Sequence, residues 1–471
     1  SVCLRLSACL LACLPFCLSG CVAVFLSLCV GCSLCVCASF GQVVPILGTM
    51  TFGAEGQVRS EEAAVLLRSF VGAGCAKVPS LEGAVMVDTA RVYQQATPDG
   101  DTETTLGQIF SMFPSLEART SLATKASPGI APHFSLSRQS VVEQCNTSLE
   151  KLGADSVDLF YLHWPDAKTD IGETLEGVRQ LHAEGKIREF GLSNYPAWLV
   201  VDIWHRCKAH GMVLPTVYQG MYNVITRSME PEIVPVAREF GLRLYMYNPL
   251  AGGLLSGRYE KMEDLASATE GRFSAQFDNA FGNKMKAGTE VYRGRYSKEP
   301  IFEALQVLRR AIDAVDAPSA ASDAPASEPV VQEMNSVVNG VTYKVRVEET
   351  HIQRRVKVLT MSNVALRWLI HHSLLSKGDG IILGVSKQEH LTANLAAWQG
   401  GPLPAAIAEA CEAAWELASP ACEAYFRGLG AKPGGVERFL ALKAERQSAA
   451  EARARAGEGE ASPAKRPCAA E

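Results

Sequence analysis

The sequence predicts an α/β fold in which eight parallel strands close into a (β/α)8 barrel, the TIM barrel. From Val43 onward, short apolar runs alternate with amphipathic stretches, which is the pattern of repeated βα units around a parallel sheet. No G-x-G-x-x-G string follows any of these runs, so the phosphate-binding turn of an open doubly wound sheet is missing. The 471 residues accommodate one barrel of about 250 residues together with extensions and an insertion.

The predicted strands are the short apolar runs. They cover Ile46–Thr49, Ala84–Asp88, Ser121–Lys125, Val157–His163, Glu189–Ser193, Thr216–Tyr218, Arg243–Tyr247 and Gly380–Leu383. The stretches between them have helical periodicity; in Arg138–Leu152, apolar side chains recur at steps of three and four residues. Eight alternating units favour a closed barrel over an open sheet.

The chain divides by composition into three parts. Residues 1–40 form an apolar, cysteine-rich segment, residues 41–430 form the barrel domain, and residues 431–471 form a flexible tail rich in Glu and Ala. An insertion at 316–358 separates two helices of the barrel domain. Its first part, Ala317–Pro329, is typical of a flexible loop.

The second part of the insertion predicts a β-hairpin. Asn339 and Gly340 form a turn signal, and apolar or β-branched residues flank them on both sides.

The amino-terminal segment leaves three interpretations open. Residues 7–40 carry no charged side chain and exceed the about 20 apolar residues that cross a bilayer. The segment is therefore a targeting or anchor sequence, an artefact of the open reading frame, or a folded part of the domain. The first interpretation allows membrane anchoring through residues 1–40; if the segment is removed or spurious, the cytoplasm is the expected location.

Cysteine placement and charge limit the function classes. Nine of the 15 cysteines precede residue 40, which argues against a disulfide framework in the barrel domain. Cys32 and Cys35 have C-x-x-C spacing, but no second pair follows at ligand spacing, so no metal site is predicted. With 48% hydrophobic residues, 20% charged residues and a net charge of -5, the composition is that of a globular protein and does not indicate nucleic-acid binding.

Polar residues follow three successive predicted strands. Asp88 closes the second strand and Tyr93 follows it, Lys125 closes the third, and His163 closes the fourth. The carboxyl ends of all strands meet at one rim of a barrel, so these side chains are expected to share a pocket.

Four longer strings carry a resemblance to a known family. They are Val157–His163, Gly191–Tyr195, Pro215–Asn223 and Asn248–Leu255. With the four polar residues, these strings resemble the aldo-keto reductase superfamily, and specifically its aflatoxin-aldehyde and succinic-semialdehyde reductase family. The similarity runs from about Val43 to Arg427 and is interrupted by the insertion.

The resemblance implies a reversible, NADPH-dependent reduction of aldehydes and ketones to alcohols. The residues that it makes catalytic are Asp88, Tyr93, Lys125 and His163. A carbonyl that accepts hydride develops alkoxide charge, so a donor must deliver a proton as that charge forms. Tyr93 is the candidate donor, but a free phenol has a pKa of about 10. We expect the Lys125 ammonium to lower that pKa, Asp88 to keep Lys125 charged and oriented, and His163 to orient the carbonyl oxygen or share in proton transfer.

By the same resemblance, the nicotinamide carboxamide is expected at Ser193, Asn194 and Gln219, because Ser, Asn and Gln side chains offer donors and acceptors. Tyr218 or a neighbour is expected to stack on the ring. The pyrophosphate is expected at a glycine-rich loop, where backbone amides approach it closely. The residues of this loop are Asn248, Pro249, Leu250, Gly252, Gly253, Leu254, Leu255, Ser256, Gly257 and Arg258.

The loop after the eighth strand leads into a helix, where barrels commonly bind phosphate. The nucleotide-binding residues expected here are Gly384, Ser386, Lys387, Gln388 and Asn394, with Arg272 also near the nucleotide. Ser386 and Lys387 are the candidates for the 2'-phosphate, which favours NADPH over NADH.

The substrate pocket is expected to bind an anion. Tyr292, Arg295 and Arg427 resemble residues that lie over the pocket in this family, beside His163. Arginine suits a carboxylate because its planar fork binds both oxygens. An acidic aldehyde such as succinic semialdehyde, or a dicarbonyl such as an aflatoxin dialdehyde, is therefore the expected substrate. The family tryptophan before Tyr292 is replaced near Gly288.

Two alternative functions stay open. An aryl-alcohol dehydrogenase of the same superfamily shares the four catalytic residues and the cofactor loops, and Arg295 and Arg427 argue against it. A regulatory protein like the potassium-channel β subunits shares the barrel and binds NADPH, and it would dock through the insertion or the apolar amino end. A homodimer is a further expectation from the resemblance.

Overall fold

The structure, a computed structural model, describes residues 43–53, 58–73, 84–93, 102–129, 134–274, 287–316, 330–338, 341–349, 359–427 and 448. The strands in these ranges are β1 (Val44–Gly48), β2 (Val85–Asp88), β3 (Thr120–Ala126), β4 (Val157–Leu162), β5 (Ile187–Ser193), β6 (Pro215–Met221), β7 (Arg243–Tyr247), β8 (Val330–Val338), β9 (Val341–Glu349) and β10 (Gly380–Gly384). The sheet of β1, β10, β7, β6, β5, β4, β3 and β2, in that order, closes on itself, and every pair in it is parallel. The predicted closed (β/α)8 barrel is confirmed.

Helices alternate with the barrel strands along the chain. The α-helices are Ser60–Gly72, Thr102–Met112, Pro114–Glu117, Arg138–Leu152, Ile171–Ala183, Ala197–Ala209, Ile233–Glu239, Glu263–Ala266, Ala287–Tyr296, Glu299–Asp316, Met361–His371, Gln388–Ala396 and Ala405–Ala418. Short 3-10 helices cover Ala251–Ser256, Ala397–Gln399 and Ser419–Ala421.

The helix Arg138–Leu152 has the predicted bounds because a capping residue stands at each of its ends. The Ser137 side chain accepts a hydrogen bond from the amide of Ser140, and Gly153 ends the helix with φ of 67°. β7 also has the predicted bounds. The predicted sixth strand, Thr216–Tyr218, is too short, since β6 hydrogen bonds with β5 and β7 along Pro215–Met221.

The predicted hairpin is present in the insertion. β8 and β9 pair antiparallel with Val338 opposite Val341, so Asn339 and Gly340 connect them. The hairpin lies between the helices Glu299–Asp316 and Met361–His371. The predictions for residues 1–40 and 317–329 and, apart from Ser448, for the tail lie outside the described residues.

Two apolar layers hold the barrel. The inner layer fills the barrel with side chains from alternate strand positions, namely Val44, Ile46, Met86, Ala123, Leu159, Tyr161, Val217, Tyr245 and Ile382. The outer layer packs the opposite strand faces against the helices. β1 and β2 are buried at every position. Because they are covered on both faces, their sequences are short, mostly apolar runs rather than alternating ones.

Asp379 directly precedes β10 and forms hydrogen bonds at the end of the barrel opposite to the predicted catalytic residues. It is 1% exposed, and its carboxylate accepts hydrogen bonds from the amides of Leu244 and Ser376, each at 2.7 Å. The Arg238 guanidinium donates to both of its oxygens, at 3.2 and 2.6 Å.

We expect Asp379→Ala to lower the free energy of unfolding by about 3–5 kcal/mol, because it leaves the buried Leu244 amide, the Ser376 amide and the Arg238 guanidinium without their acceptor. Denaturant unfolding measures the change. The control is Asp155→Ala, which removes an exposed carboxylate and is expected to change stability by about 0.5 kcal/mol or less. Equal losses in the two variants would contradict a structural role for Asp379.

None of the helices formed by the described residues is long and apolar enough to cross a membrane.

Candidate active site

The carboxyl ends of β2, β3 and β4 bring the predicted catalytic residues to one rim. Asp88 is the last residue of β2, Lys125 is the penultimate residue of β3, and His163 directly follows β4. These strands are neighbours in the barrel, so their ends lie side by side. Tyr93 lies on the turn after β2, where its amide donates to the carbonyl of Ala90 at 3.0 Å.

Lys125 and Asp88 form a buried ion pair. The Lys125 Nζ lies 2.6 Å from Asp88 Oδ1, and the two side chains are 0% and 4% exposed. Nζ also donates to the carbonyl of Thr89 at 2.6 Å, and Gln219 Nε2 donates to Asp88 Oδ2 at 2.8 Å. Both carboxylate oxygens are therefore held, which fixes the ammonium in one position.

The Tyr93 ring lies against this ion pair. Lys125 Nζ is 5.2 Å from the centre of the Tyr93 ring, and the His163 ring centre is 5.9 Å from it in an edge-on arrangement. Burial raises the pKa of Tyr93 well above the usual value, the Asp88 charge raises it further, and the positive charge of Arg272 lowers it.

The net direction of the Tyr93 pKa is opposite to the one expected from the sequence. That expectation counted the Lys125 ammonium, whereas in the structure burial of the phenol has the largest effect. Burial also lowers the pKa of Lys125, against the charge and hydrogen bond of Asp88. A phenol in this environment keeps its proton at neutral pH.

His163 is held in a neutral form by its surroundings. Burial lowers its pKa well below the usual value, and the positive charges of Lys125 and Arg427 lower it further. Its Nδ1 lies 2.7 Å from the Ser127 hydroxyl, and the Ser127 amide donates to Gln144 Oε1 at 2.8 Å. Nδ1 is therefore hydrogen-bonded within the protein, and Nε2 is the other ring nitrogen of His163.

The end of β5 completes this part of the rim. Asn194 has φ of 60°, and its Nδ2 donates to the His163 carbonyl and to the Ser193 hydroxyl, each at 2.9 Å. The Tyr247 hydroxyl donates to Asn194 Oδ1 at 2.7 Å. These bonds connect the ends of β4, β5 and β7 around the phenol.

Comparison with known proteins identifies the family of this arrangement. Residues 46–416 match the aldo/keto reductase family. The chain belongs to the aldo/keto reductase family. It is an oxidoreductase, and the nicotinamide cofactors that this family uses are its expected cofactors.

The curated relatives that it resembles include proteins named as aldehyde reductases. Aflatoxin B1 aldehyde reductase member 2 of Rattus norvegicus is 39% identical over 384 residues, which is 81% of this chain and 87% of the relative. The Homo sapiens protein of the same name is 39% identical over 82% of this chain and 90% of its own length. Aldo-keto reductase family 7 member A3 of Homo sapiens is 38% identical over 81% of this chain and 96% of its own length.

The glycine-rich loop of the reductase is held by its own hydrogen bonds. Asn248, at φ of 63°, accepts from the Gly252 amide at 2.6 Å and donates to the Tyr296 hydroxyl at 2.7 Å. The amides of Gly253 and Leu255 both donate to the Leu250 carbonyl. The amides of Gly252, Gly253 and Leu255 are thus used inside the loop in this conformation, and the pyrophosphate contact of the loop stays a prediction.

Close approach to the loop remains possible at the glycines. Gly253 has φ of 99°, and a Cβ added there would have no atom within 4 Å. At Gly252, by contrast, a Cβ would lie 2.6 Å from the ring of Tyr292. The loop therefore packs on one side against Tyr292 and leaves open space on the other.

The predicted phosphate-binding segment leads from β10 into the helix Gln388–Ala396. Gly384 and Gln388 are exposed and Ser386 is half-exposed, whereas Asn394 is buried on the inner face of the helix. Lys387 Nζ lies 3.8 Å from Glu270, at the beginning of the stretch that contains Arg272. The structure thus brings Lys387 close to the Glu270–Arg272 stretch.

The structure also describes the three other predicted substrate residues, Tyr292, Arg295 and Arg427. The Tyr292 ring is 5.6 Å from the guanidinium carbons of both Arg272 and Arg295. The Arg427 amide donates to the carbonyl of Asn194 at 3.0 Å, and its charge acts on His163. Tyr218, in contrast, belongs to the outer apolar layer, and its hydroxyl donates to the Tyr195 carbonyl. It does not line the rim.

Sequence reasoning missed Ser127, Tyr247 and Glu423. Ser127 follows Lys125 by two residues at the end of β3, and Tyr247 ends β7, so their positions at strand ends were the available signal. Glu423 lies four residues before Arg427 in the segment after the last long helix, where no motif pointed to it.

Other polar signals in the sequence are explained by local structure. The glycosylation acceptor sequence Asn146–Ser148 lies inside the helix Arg138–Leu152, and its Ser148 is fully buried. The adjacent His371 and His372 contact the backbone at Gly400 and Leu403, each at 2.8 Å.

Proposed function

We propose that the chain is an NADPH-dependent reductase of aldehydes and ketones. The observation that carries this proposal is the contact of one neutral phenol, Tyr93, with a buried Lys125–Asp88 pair and a neutral His163 at the carboxyl rim of the barrel. The names of the two aflatoxin B1 aldehyde reductases among the relatives support aldehydes as the substrate class.

Tyr93 is the proton donor in the proposed reaction. NADPH, when bound, supplies the hydride. The substrate oxygen gains negative charge as it accepts hydride at carbon, and the Tyr93 hydroxyl delivers a proton to that oxygen. The ammonium of Lys125, 5.2 Å from the ring centre, stabilises the phenolate that remains.

His163 positions the carbonyl oxygen. A neutral imidazole whose Nδ1 accepts the Ser127 hydroxyl proton carries its own proton on Nε2, which can then donate to the substrate oxygen. Ser127 is the positioning residue for this tautomer. Asp88 acts through Lys125, since it keeps a buried ammonium charged.

The residues present fit a nicotinamide nucleotide. Ser193, Asn194 and Gln219 lie around the buried catalytic group and are the proposed contacts of the carboxamide, while Tyr247 replaces Tyr218 as the aromatic residue at this rim. The loop at Gly253, where an added Cβ would have no atom within 4 Å, is the proposed place of approach for the pyrophosphate. Ser386, Lys387 and Arg272 are the proposed contacts of the 2'-phosphate, which favours NADPH over NADH.

The proposed substrates include aldehydes that carry a carboxylate, such as succinic semialdehyde, and dicarbonyls. The Arg295 guanidinium lies beside Tyr292 and the Arg427 charge acts on His163, which supports these two arginines as contacts of a carboxylate, the group that a guanidinium fork binds best.

The proposal is tested by following nucleotide absorbance with the full chain, NADPH or NADH, and two aldehydes. Succinic semialdehyde and an uncharged aromatic aldehyde are both expected to be reduced, with higher kcat/KM for NADPH than for NADH. NADPH binding without oxidation, with either aldehyde, would contradict the enzyme function and indicate a nucleotide-sensing protein.

The rate of carbonyl reduction is expected to be flat from about pH 7 to about pH 9. The Tyr93 pKa is raised, by burial and then by Asp88, so the phenol keeps its proton up to pH values above the ordinary phenol pKa of about 10. The His163 pKa is lowered, by burial, Lys125 and Arg427, so the ring is neutral throughout this range. A kcat/KM profile for reduction measures this; a fall with an apparent pKa near 7 on the alkaline side would show instead that the phenol pKa is lowered.

A further inference from the structure

Arg295 is a buried guanidinium with incomplete hydrogen bonding. It is 8% exposed, and within the part of the chain that the structure describes its Nε makes no hydrogen bond. Its guanidinium carbon lies 5.6 Å from the Tyr292 ring centre. A buried cation with a free donor direction is costly unless an anion comes to it.

The protein supplies one such anion itself. Glu423 Oε2 lies 3.4 Å from Arg295 Nε, and the Glu423 side chain is 48% exposed. This distance exceeds the about 2.7–2.9 Å of a well-formed charge-assisted bond. The ion pair is therefore long, with Arg295 as its buried member and Glu423 as its half-exposed member.

The segment that carries Glu423 is fastened to the barrel. The Ser228 hydroxyl donates to the Glu423 carbonyl at 2.9 Å, and Lys298 Nζ donates to the carbonyl of Ala421 at 2.7 Å. Further along, the Tyr425 hydroxyl accepts from the Ala197 amide at 2.9 Å. The backbone at position 423 is thus held beside Arg295 by the fold, while the Glu423 side chain is half-exposed.

Arg295 and Glu423 also line the same small cavity. This space is small, with a volume of about 10 Å3 or room for about one water molecule, and Met221 and Tyr296 are among its other walls. Tyr292 and Tyr247 influence the ionisation of both Arg295 and Tyr93, so the ion pair and the phenol have these two neighbours in common.

We propose that Glu423 is a specificity-determining residue that competes with the carboxylate of an acidic aldehyde for Arg295. This inference rests on the proposed function and names the group that sets its substrate charge preference. In the free protein, Glu423 neutralises part of the Arg295 charge. An anionic substrate has to displace that carboxylate into water, whereas an uncharged aldehyde does not, so Glu423 shifts the preference towards uncharged aldehydes.

The test compares two four-carbon aldehydes, succinic semialdehyde and butanal, with the full chain and NADPH. Glu423→Gln keeps the shape of the side chain and removes its charge. The ratio of kcat/KM for succinic semialdehyde to kcat/KM for butanal is expected to rise about fivefold, the upper end for a partly exposed ion pair. The change is expected in the KM for succinic semialdehyde rather than in kcat.

The control removes a carboxylate that does not face Arg295. Glu416 is exposed on the helix Ala405–Ala418, and Glu416→Gln is expected to leave the ratio unchanged. In an Arg295→Met background, Glu423→Gln is expected to have no effect on the ratio, since its partner is gone.

An unchanged ratio in Glu423→Gln, or an equal rise in Glu416→Gln, would overturn the inference. A persistent rise in the Arg295→Met background would overturn it as well. These failures differ from failure of the proposed function, in which the unaltered protein oxidises NADPH with neither aldehyde.

Discussion

Replacing Tyr93 by Phe is expected to lower kcat/KM for aldehyde reduction by about 1000-fold, because the variant loses the proton that the alkoxide needs as it forms. The ring remains, so its packing beside Lys125 and His163 is kept. The dissociation constant for NADPH is expected to stay the same. Steady-state kinetics and a fluorescence titration measure the two quantities.

A matched control is Tyr195→Phe. The Tyr195 hydroxyl is buried and has no hydrogen-bond partner among the described residues, so its removal is expected to leave the rate unchanged. If Tyr93→Phe retained most of the rate, or if both variants lost it equally, Tyr93 would not be the proton donor.

Replacing Lys125 by Met is expected to affect both activity and folding. The variant leaves the Asp88 carboxylate buried without its cation, which costs about 3–5 kcal/mol of unfolding free energy. The rate of reduction is expected to fall about 100-fold or more, since the phenolate of Tyr93 loses its nearby positive charge. Denaturant unfolding and steady-state kinetics measure the two effects.

The double variant Lys125→Met with Asp88→Asn distinguishes the loss of the ion pair from the cost of leaving one buried charge unpaired. It removes both charges, so its loss of stability is expected to be smaller than that of Lys125→Met alone. Lys186→Met is the control, because Lys186 has an ion pair of similar length, 2.7 Å to Glu184, between side chains that are 32% and 37% exposed. Its expected cost is about 1 kcal/mol or less. A cost of 3 kcal/mol or more there, or a double variant less stable than the single one, would contradict the description of a buried pair.

The sequence predicted the barrel and the position of its rim because both depend on local pattern. Short apolar runs with polar residues at their carboxyl ends placed Asp88, Lys125 and His163 at neighbouring strand ends, and the structure puts them there. The helix Arg138–Leu152 was predictable to the residue because Ser137 and Gly153 are local signals.

Features that depend on contacts between distant residues could not be predicted from the sequence. The bond between Ser127 and His163 joins residues 36 apart, and the use of Asn248 inside its own loop depends on the position of Tyr296. The outward orientation of Tyr218 is set by the register of β6 against its neighbours.

The sign of the Tyr93 pKa shift is a second feature of this kind. A nearby ammonium predicts a lowered pKa, and the sequence contains that ammonium in Lys125. The extent to which the phenol is removed from water is a property of the folded barrel, and it has the larger effect.

The central claim is that this protein transfers hydride from NADPH to a carbonyl. The measurement that tests it most directly is a single turnover of the full chain, saturated with NADPH and mixed with an aldehyde, in which nucleotide oxidation and alcohol formation are followed together. We predict one alcohol for each NADPH oxidised, at a rate constant on the order of 1 s⁻¹ or faster, slowed by deuterium at the transferred position of the nucleotide. NADPH that stays bound and reduced in the presence of the aldehyde would contradict the claim.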